Sequence, residues 1–238
     1  MKPLPHRLVI IVWLSLVWIN AAAPAHSEAQ DGRAAMLARA GFNILLIDLR
    51  DQGETTCEDG RHSAGQDESD DILTAAYWLK SMKAVPLSRL GVHGVSGGAL
   101  AALIVAAKNS EIAAFSLEAP VFNFNKAATH EVEYQGFPGF FWRAAYWAAR
   151  IRGKDLMAIT PADGISRMNQ RPVQVLHGTA DSRVAYYNAT DLVRYADARG
   201  QQVALHSFEG ADHIEGLLLE PERYRATLVD FFESTLKR

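Results

Sequence analysis

Apolar residues follow two kinds of pattern along this chain. Short, nearly uninterrupted apolar runs alternate with longer stretches of helical period. FNILLID at 42–48, RLGVHGV at 89–95, and residues 112–117, 172–176 and 203–208 are the short runs, each bounded by glycine or polar residues. Runs of that length read as strands buried on both faces, as in a parallel sheet. Between them lie helical stretches. RAAMLARA at 33–40 is closed by Gly41, and 70–83 places Ile72, Leu73, Ala76, Tyr77 and Leu79 on one broad face. Ser69 is the expected N-cap of that helix, with Asp70 and Asp71 in its first turn, where the helix dipole favours acids. Residues 97–109 form a helix of small residues. Residues 185–199 form an amphipathic helix ended by Gly200, and 221–237 a last helix with proline in its first turn. Strand and helix in alternation predict an α/β fold, a mostly parallel sheet flanked by helices with right-handed crossovers. Residues 121–170 break the alternation. They are long and aromatic, and they read as a helical cap insertion.

The first apolar run differs from the others in what flanks it. Lys2 and Arg7 precede residues 8–19, which are apolar except for Ser15, and small residues follow up to Ala23-Pro24-Ala25. That order matches a signal peptide over 1–27, which would export the chain to a periplasm or the exterior. Left uncleaved, residues 8–25 would anchor it in a membrane, although the apolar stretch is shorter than the roughly 20 residues of a spanning helix. The third reading is that LVIIVWL at 8–14 is another buried strand, which pattern alone does not separate from the other two.

Composition narrows the classes. The chain has 238 residues and a net charge of −3, without the basic excess of a nucleic-acid binder. Hydrophobic residues at 49% and charged residues at 21% are ordinary globular usage, and residues 28–238 are long enough for one domain with its own core. Cys57 is the single cysteine, so no intrachain disulfide forms, and no Cys/His group has zinc-ligand spacing.

The candidate chemistry starts at Gly94-Val95-Ser96-Gly97-Gly98. This G-x-S-x-G stands between a predicted strand and a predicted helix, the context that exposes a serine on a sharp turn above a sheet edge. The helix N-terminus beneath it favours developing negative charge. A serine hydroxyl needs a base, and the base needs an orienting acid. Asp181 follows the strand at 172–176, and His213 follows the strand at 203–208. The order Ser96, Asp181, His213 is the one this motif predicts. Glu118, at the end of the strand at 112–117, is the alternative acid. His177 reads as a turn residue, His93 as a packed histidine beside the elbow, and Asp212 as a weaker acid. Asp48 and Arg50 read as a structural pair holding a loop. Cys57 has no neighbouring histidine to activate it. Asn188-Ala189-Thr190 is a formal glycosylation sequon.

On these residues the chain resembles the α/β-hydrolase superfamily. The likeness is to bacterial serine hydrolases of prolyl-oligopeptidase-like and serine-aminopeptidase-like type, and it runs over about 33–238. Its marks are GFNILLIDLRDQGET, GVHGVSGGA, HGTADSRVAY and GADH. The resemblance implies that Ser96 is the nucleophile, Asp181 the acid and His213 the base, with the Gly97 N–H as one oxyanion donor and no cofactor. It implies cleavage of a small-molecule carboxylic ester, thioester or amide through an acyl-enzyme. One feature departs from the family. Members carry further strands before the helix at 33–40, the last ending in a His-Gly turn that supplies the second oxyanion donor. No such turn precedes residue 33, so the fold reads as N-terminally shortened. Either the strands at 42–48 and 89–95 pair directly, or LVIIVWL fills the vacancy. A catalytically impaired scaffold that binds a ligand or partner is the alternative function. In the cap, Tyr134, Phe137, Phe140, Phe141, Trp142, Tyr146 and Trp147 lie within 14 residues. They suit an apolar acyl group or form the cap's own core.

Overall fold

The computed structural model describes residues 8–14, 24–51, 55 and 63–236. Its strands are β1 (Leu8–Leu14), β2 (Asn43–Asp48), β3 (Leu90–Ser96), β4 (Ala114–Glu118), β5 (Val173–Gly178) and β6 (Ala204–Phe208). They form one sheet in the order β2-β1-β3-β4-β5-β6, parallel throughout. The helices are α1 (Pro24–Arg39), α2 (Glu68–Met82), α3 (Gly97–Lys108), α4 (Phe124–Tyr134), α5 (Phe141–Ile151), α6 (Pro161–Ser166), α7 (Tyr187–Asp197), α8 (Gly216–Leu219) and α9 (Pro221–Thr235).

The run at 8–14 is a strand inside the sheet. β1 pairs with β2 on one side and with β3 on the other, with Leu14 opposite Ser96. Leu8 and Ile10 join the core formed with α2 and α3, whereas Val9 joins the opposite core, formed with α1 and α9. A strand covered on both faces needs apolar residues at every position, so it carries no alternation. The helix after this strand, α1, begins at Pro24, so it runs across residue 27. Pro24, expected in a cleavage signal, occupies the first turn of a helix, where a missing N–H costs nothing. β1 fills the place between the strands at 42–48 and 89–95, which therefore do not pair directly. Among the described residues no helix is long and apolar enough to cross a membrane.

Two local expectations change. Ser69 is not the N-cap of α2. It lies inside the helix and its Oγ donates to Gln66 O at 2.6 Å. The preceding loop is instead tied down by buried Glu68, whose carboxylate accepts from the N–H of Ser63 and of Gly65, each at 2.9 Å, and from the Ser63 hydroxyl. The insertion at 121–170 also divides in two. α4 and α5 form a hairpin with no buried residue in either helix. α6 belongs to the body, with Gly164 against the backbone of Leu103 in α3.

Candidate active site

The sheet order reverses direction between β1 and β3, so the crevice outside their carboxyl ends is the place where open α/β sheets bind ligands. Ser96 ends β3 at that point. Its backbone, at φ 54° and ψ −116°, is in a region that non-glycine residues rarely occupy. Such strain persists where the surroundings over-determine it. Here Gly94 allows the approach: a Cβ at that position would lie 2.5 Å from Gly98 O and 2.7 Å from Gly98 C. Gly97 is the first residue of α3, so its N–H has no intrahelical partner to serve and points to the helix N-terminus.

Asp181 and His213 come from the loops after β5 and β6, which are stitched together. Thr179 N donates to Phe208 O at 2.9 Å, Ala180 N to Ala211 O at 3.0 Å, and Gly210 N to Thr179 Oγ1 at 2.9 Å. Gly178 permits the contact, since a Cβ there would sit 2.3 Å from Ala211 O. Asp212 joins the same stitching and not the relay. It accepts from Ser182 N and from His213 N, both at 2.7 Å.

His213 Nε2 lies 3.1 Å from Ser96 Oγ, and His213 Nδ1 lies 2.9 Å from Asp181 Oδ2. Side chains separated by as many as 117 residues thus meet at one sheet margin. The Arg183 and Val184 N–H groups donate to Asp181 Oδ1 at 2.9 and 2.7 Å. Burial alone would raise the Asp181 carboxyl, but hydrogen bonds from His177 and His213 outweigh it and hold the group below the usual carboxylate range. An ionised Asp181 next to Nδ1 favours the tautomer with the proton on Nδ1, leaving Nε2 free to accept from the serine. His177 lies at the end of β5, not in a turn. Its Nε2 donates to Val184 O at 2.7 Å and stands 3.2 Å from Asp181 Oδ2.

Glu118 faces elsewhere. Arg33 donates to its carboxylate through Nη2 at 2.7 Å and Nε at 2.8 Å, and Tyr224 Oη donates at 2.5 Å. Burial opposes ionisation of Glu118, yet the Arg33 charge overrides it and lowers the pKa to about 2. Glu118 is therefore an ionised member, at neutral pH, of a buried cluster behind the elbow. His93 is its neighbour. His93 Nδ1 contacts Ser116 Oγ at 3.0 Å, and burial lowers its pKa, keeping the ring neutral. Arg33 and Tyr224 carry no motif. The one signal in the sequence is that Arg33 stands four residues before Leu37, on the face that α1 buries. Arg33 Nη2 also reaches Ile214 O at 3.5 Å, the residue after His213.

Arg50 holds Asp71 of α2 through Nη2 at 2.6 Å, Nε at 3.0 Å and its own N–H at 2.9 Å, so it is a structural clamp. The sequon asparagine, Asn188, is fully buried and its Oδ1 accepts from the N–H of Phe122 and of Asn123, each at 3.1 Å. It is closed to glycosylation in the folded chain. Cys57 and the residues after β1, from which a second oxyanion donor would come, lie outside the described residues. Among the described residues no group of three acidic, histidine or cysteine side chains could hold a metal ion.

The sequence profile of the prolyl oligopeptidase family matches residues 28–238. A probable dipeptidyl-aminopeptidase B of Metarhizium robertsii is 26% identical over 196 residues, or 78% of this chain. The chain spans 20% of the length of that curated relative. An esterase of Pyrococcus furiosus superposes with a TM-score of 0.74 at 18% identity, covering 98% of this chain and 84% of the other. A puromycin-hydrolyzing peptidase of Mycobacterium tuberculosis superposes with a TM-score of 0.73 at 15% identity, covering 97% of this chain and 34% of the other. At these identities the two structures establish the α/β-hydrolase fold.

Proposed function

The chain belongs to the prolyl oligopeptidase family, and from that premise we propose that it is a serine hydrolase acting through an acyl-enzyme on Ser96. The observation that carries the proposal is the relay of 3.1 Å from Ser96 Oγ to His213 Nε2 and 2.9 Å from His213 Nδ1 to Asp181. Both distances are within hydrogen-bond reach, and the first is the one over which the serine proton moves. Ser96 Oγ attacks the carbonyl carbon while its proton moves to His213 Nε2. The carbonyl oxygen becomes an oxyanion facing the Gly97 N–H. The tetrahedral intermediate then collapses, and the leaving alcohol, thiol or amine takes the proton from His213. Water attacks the acyl-enzyme, gives its proton to the same nitrogen, and the carboxylic acid departs as Ser96 recovers its hydrogen. Asp181 stays ionised throughout and stabilises the imidazolium.

The substrate proposed is a small ester with an apolar acyl group, in preference to a peptide. Leu100, in the first turn of α3, packs with Ala64, Val121 and Val184, and Phe124 of α4 covers them. This apolar cluster lies one helical turn from Ser96 and three residues from Asp181. It suits a short acyl chain better than a charged peptide terminus. The esterase and peptidase similarities are compatible with either bond type.

The test is labelling of the full chain with a fluorophosphonate, followed by peptide mass mapping, beside hydrolysis of p-nitrophenyl acetate, butyrate and octanoate. The expected result is one adduct on Ser96, absent from S96A, with hydrolysis that S96A loses. Folded protein with no adduct and no hydrolysis would remove the serine mechanism. Faster cleavage of an aminoacyl anilide than of any ester would reverse the substrate preference.

A further inference from the structure

The α4–α5 hairpin turns one face to the body and leaves the other without a partner. On the inner side, Phe124 and Ala127 of α4 pack on the cluster of Leu100 and Val184, Glu131 pairs with Arg183 at 3.2 Å, and the Trp142 ring of α5 meets Phe124 at 5.3 Å. On the outer side, Phe140, Ala144, Trp147, Ala148 and Ile151 follow the spacing of a single helical stripe. Ile151 is 83% exposed, Phe140 67% and Phe137, at the turn, 62%. Phe140 stacks on Phe141 at 4.6 Å, and Phe137 meets Phe141 edge-on at 6.5 Å, so the tip is one contiguous aromatic surface. Soluble proteins seldom leave such a patch uncovered without a use for it.

Charge decides what covers it. Arg143 and Arg150 run along one flank of the stripe, and Arg152 stands past its other flank at the helix end. Arg143 and Arg152 make no ion pair among the described residues. Arg150 pairs with Asp155 at 3.1 Å, and residues 121–170 hold six Lys and Arg against four Asp and Glu, a net +2 in a chain whose total is −3. Two copies meeting on this face would bring like charges together, which disfavours a self-docked pair. An apolar stripe with Trp and Phe, bordered by arginine on both sides, is the composition of a helix lying in the plane of a membrane interface. Anionic headgroups would neutralise the arginines on either side while the rings enter the acyl boundary.

We propose that the outer face of the α4–α5 hairpin docks on an anionic lipid surface, with Phe137, Phe140, Phe141, Trp147 and Ile151 inserted and Arg143 and Arg152 on the headgroups. The contact lies in the interface plane and needs no spanning segment. It is independent of the hydrolase reading, because it is tested by binding alone.

The experiment is co-sedimentation of the full chain with vesicles of phosphatidylcholine, or of phosphatidylcholine and phosphatidylglycerol at a ratio of about 70:30, beside analytical ultracentrifugation without lipid. The expected result is binding to the anionic vesicles that is at least about tenfold tighter than to the neutral ones and that weakens with salt. F140S/W147S/I151S and R143E/R152E should each lose about tenfold or more. Both variants alter exposed positions, and an unchanged unfolding midpoint would show that they fold. Absence of vesicle binding, or equal binding by wild type and F140S/W147S/I151S, would overturn the proposal. So would a wild-type dimer that F140S/W147S/I151S abolishes, with no affinity for vesicles, since the face would then be a contact between copies.

Discussion

Replacing Arg33 with methionine keeps a long side chain in α1 and deletes the guanidinium behind the elbow. Glu118, 3% exposed, then loses donors at 2.7 and 2.8 Å. Within hydrogen-bond reach it retains Tyr224 Oη, while His93 Nε2 stands 3.7 Å away. Removing one member of a buried ion pair costs about 3–5 kcal/mol, because the other charge stays buried without compensation. In a chain of this size each kcal/mol moves the unfolding midpoint by about 2–4 °C, so R33M should melt about 6–20 °C below wild type at neutral pH. The pH dependence separates this cause from lost packing. With Arg33 present, the Glu118 pKa is lowered from 4.5 to about 2. A depressed carboxyl contributes stability that is present above its unfolded value and is lost as pH falls through the folded one. In R33M the stranded Glu118 gains from protonation instead. The gap between the two proteins should therefore narrow as pH falls from neutral toward the unfolded pKa. Neutralising the stranded charge should act the same way, so R33M/E118Q should recover most of the loss. Thermal unfolding followed by far-UV circular dichroism across pH measures all three proteins. If R33M melts within about 2 °C of wild type at neutral pH, or if the gap does not change with pH, the reasoning is refuted.

Four other perturbations test separate parts of the structure. D181N should lower hydrolysis by about 10⁴-fold in steady-state kinetics, the size of effect expected when the imidazole takes the wrong tautomer, while its fold is kept by an amide oxygen that still accepts from Arg183 and Val184. G94A places a methyl 2.5 Å from Gly98 O and should displace the elbow, giving a lower midpoint and loss of fluorophosphonate labelling together. E118Q should flatten the loss of stability on acidification, because the carboxyl held at about 2 no longer titrates, and a titration curve parallel to wild type would contradict this. A chain beginning at Glu28 loses β1, and burial of Leu8, Val9 and Ile10 alone is worth roughly 5–9 kcal/mol, close to the whole stability of a domain. That chain should be unfolded or aggregated by circular dichroism and size-exclusion chromatography, and a folded, labelled product would show that the sheet does without its second strand.

The site was legible to the extent that its chemistry is local. The elbow is specified by five consecutive residues, since two glycines and a serine decide whether the turn can form. Asp181 and His213 were legible for a weaker reason: each follows its own strand, and parallel strands deliver their carboxyl ends to one margin. What linked Ser69 to the N-cap position was residue preference, and that lost to Glu68, whose carboxylate closes the preceding loop through three donors. Asn188 matched a modification pattern that is blind to burial. Arg33 and Tyr224 were illegible because a lone charged or phenolic side chain in a helix is ordinarily solvated. Only the packing of α1 and α9 against the end of β4 removes both from water.

The sequence alone determined the α/β class, the alternation of elements and the order of the three site residues, because hydrophobic period, glycine placement and chain order are one-dimensional properties. It did not determine the role of residues 8–14. A strand sealed on both faces and the apolar core of a leader are both unbroken apolar runs, and one-dimensional pattern has no means to separate them. The tertiary structure added what pattern lacks, the neighbours of the run: it set β2 and β3 on either side of LVIIVWL. It decided also that Glu118 is a buried structural charge, and that the cap's aromatic residues divide between an inner face and an outer one. Each of those outcomes depends on which surfaces water can reach, a quantity that exists only once the chain has packed.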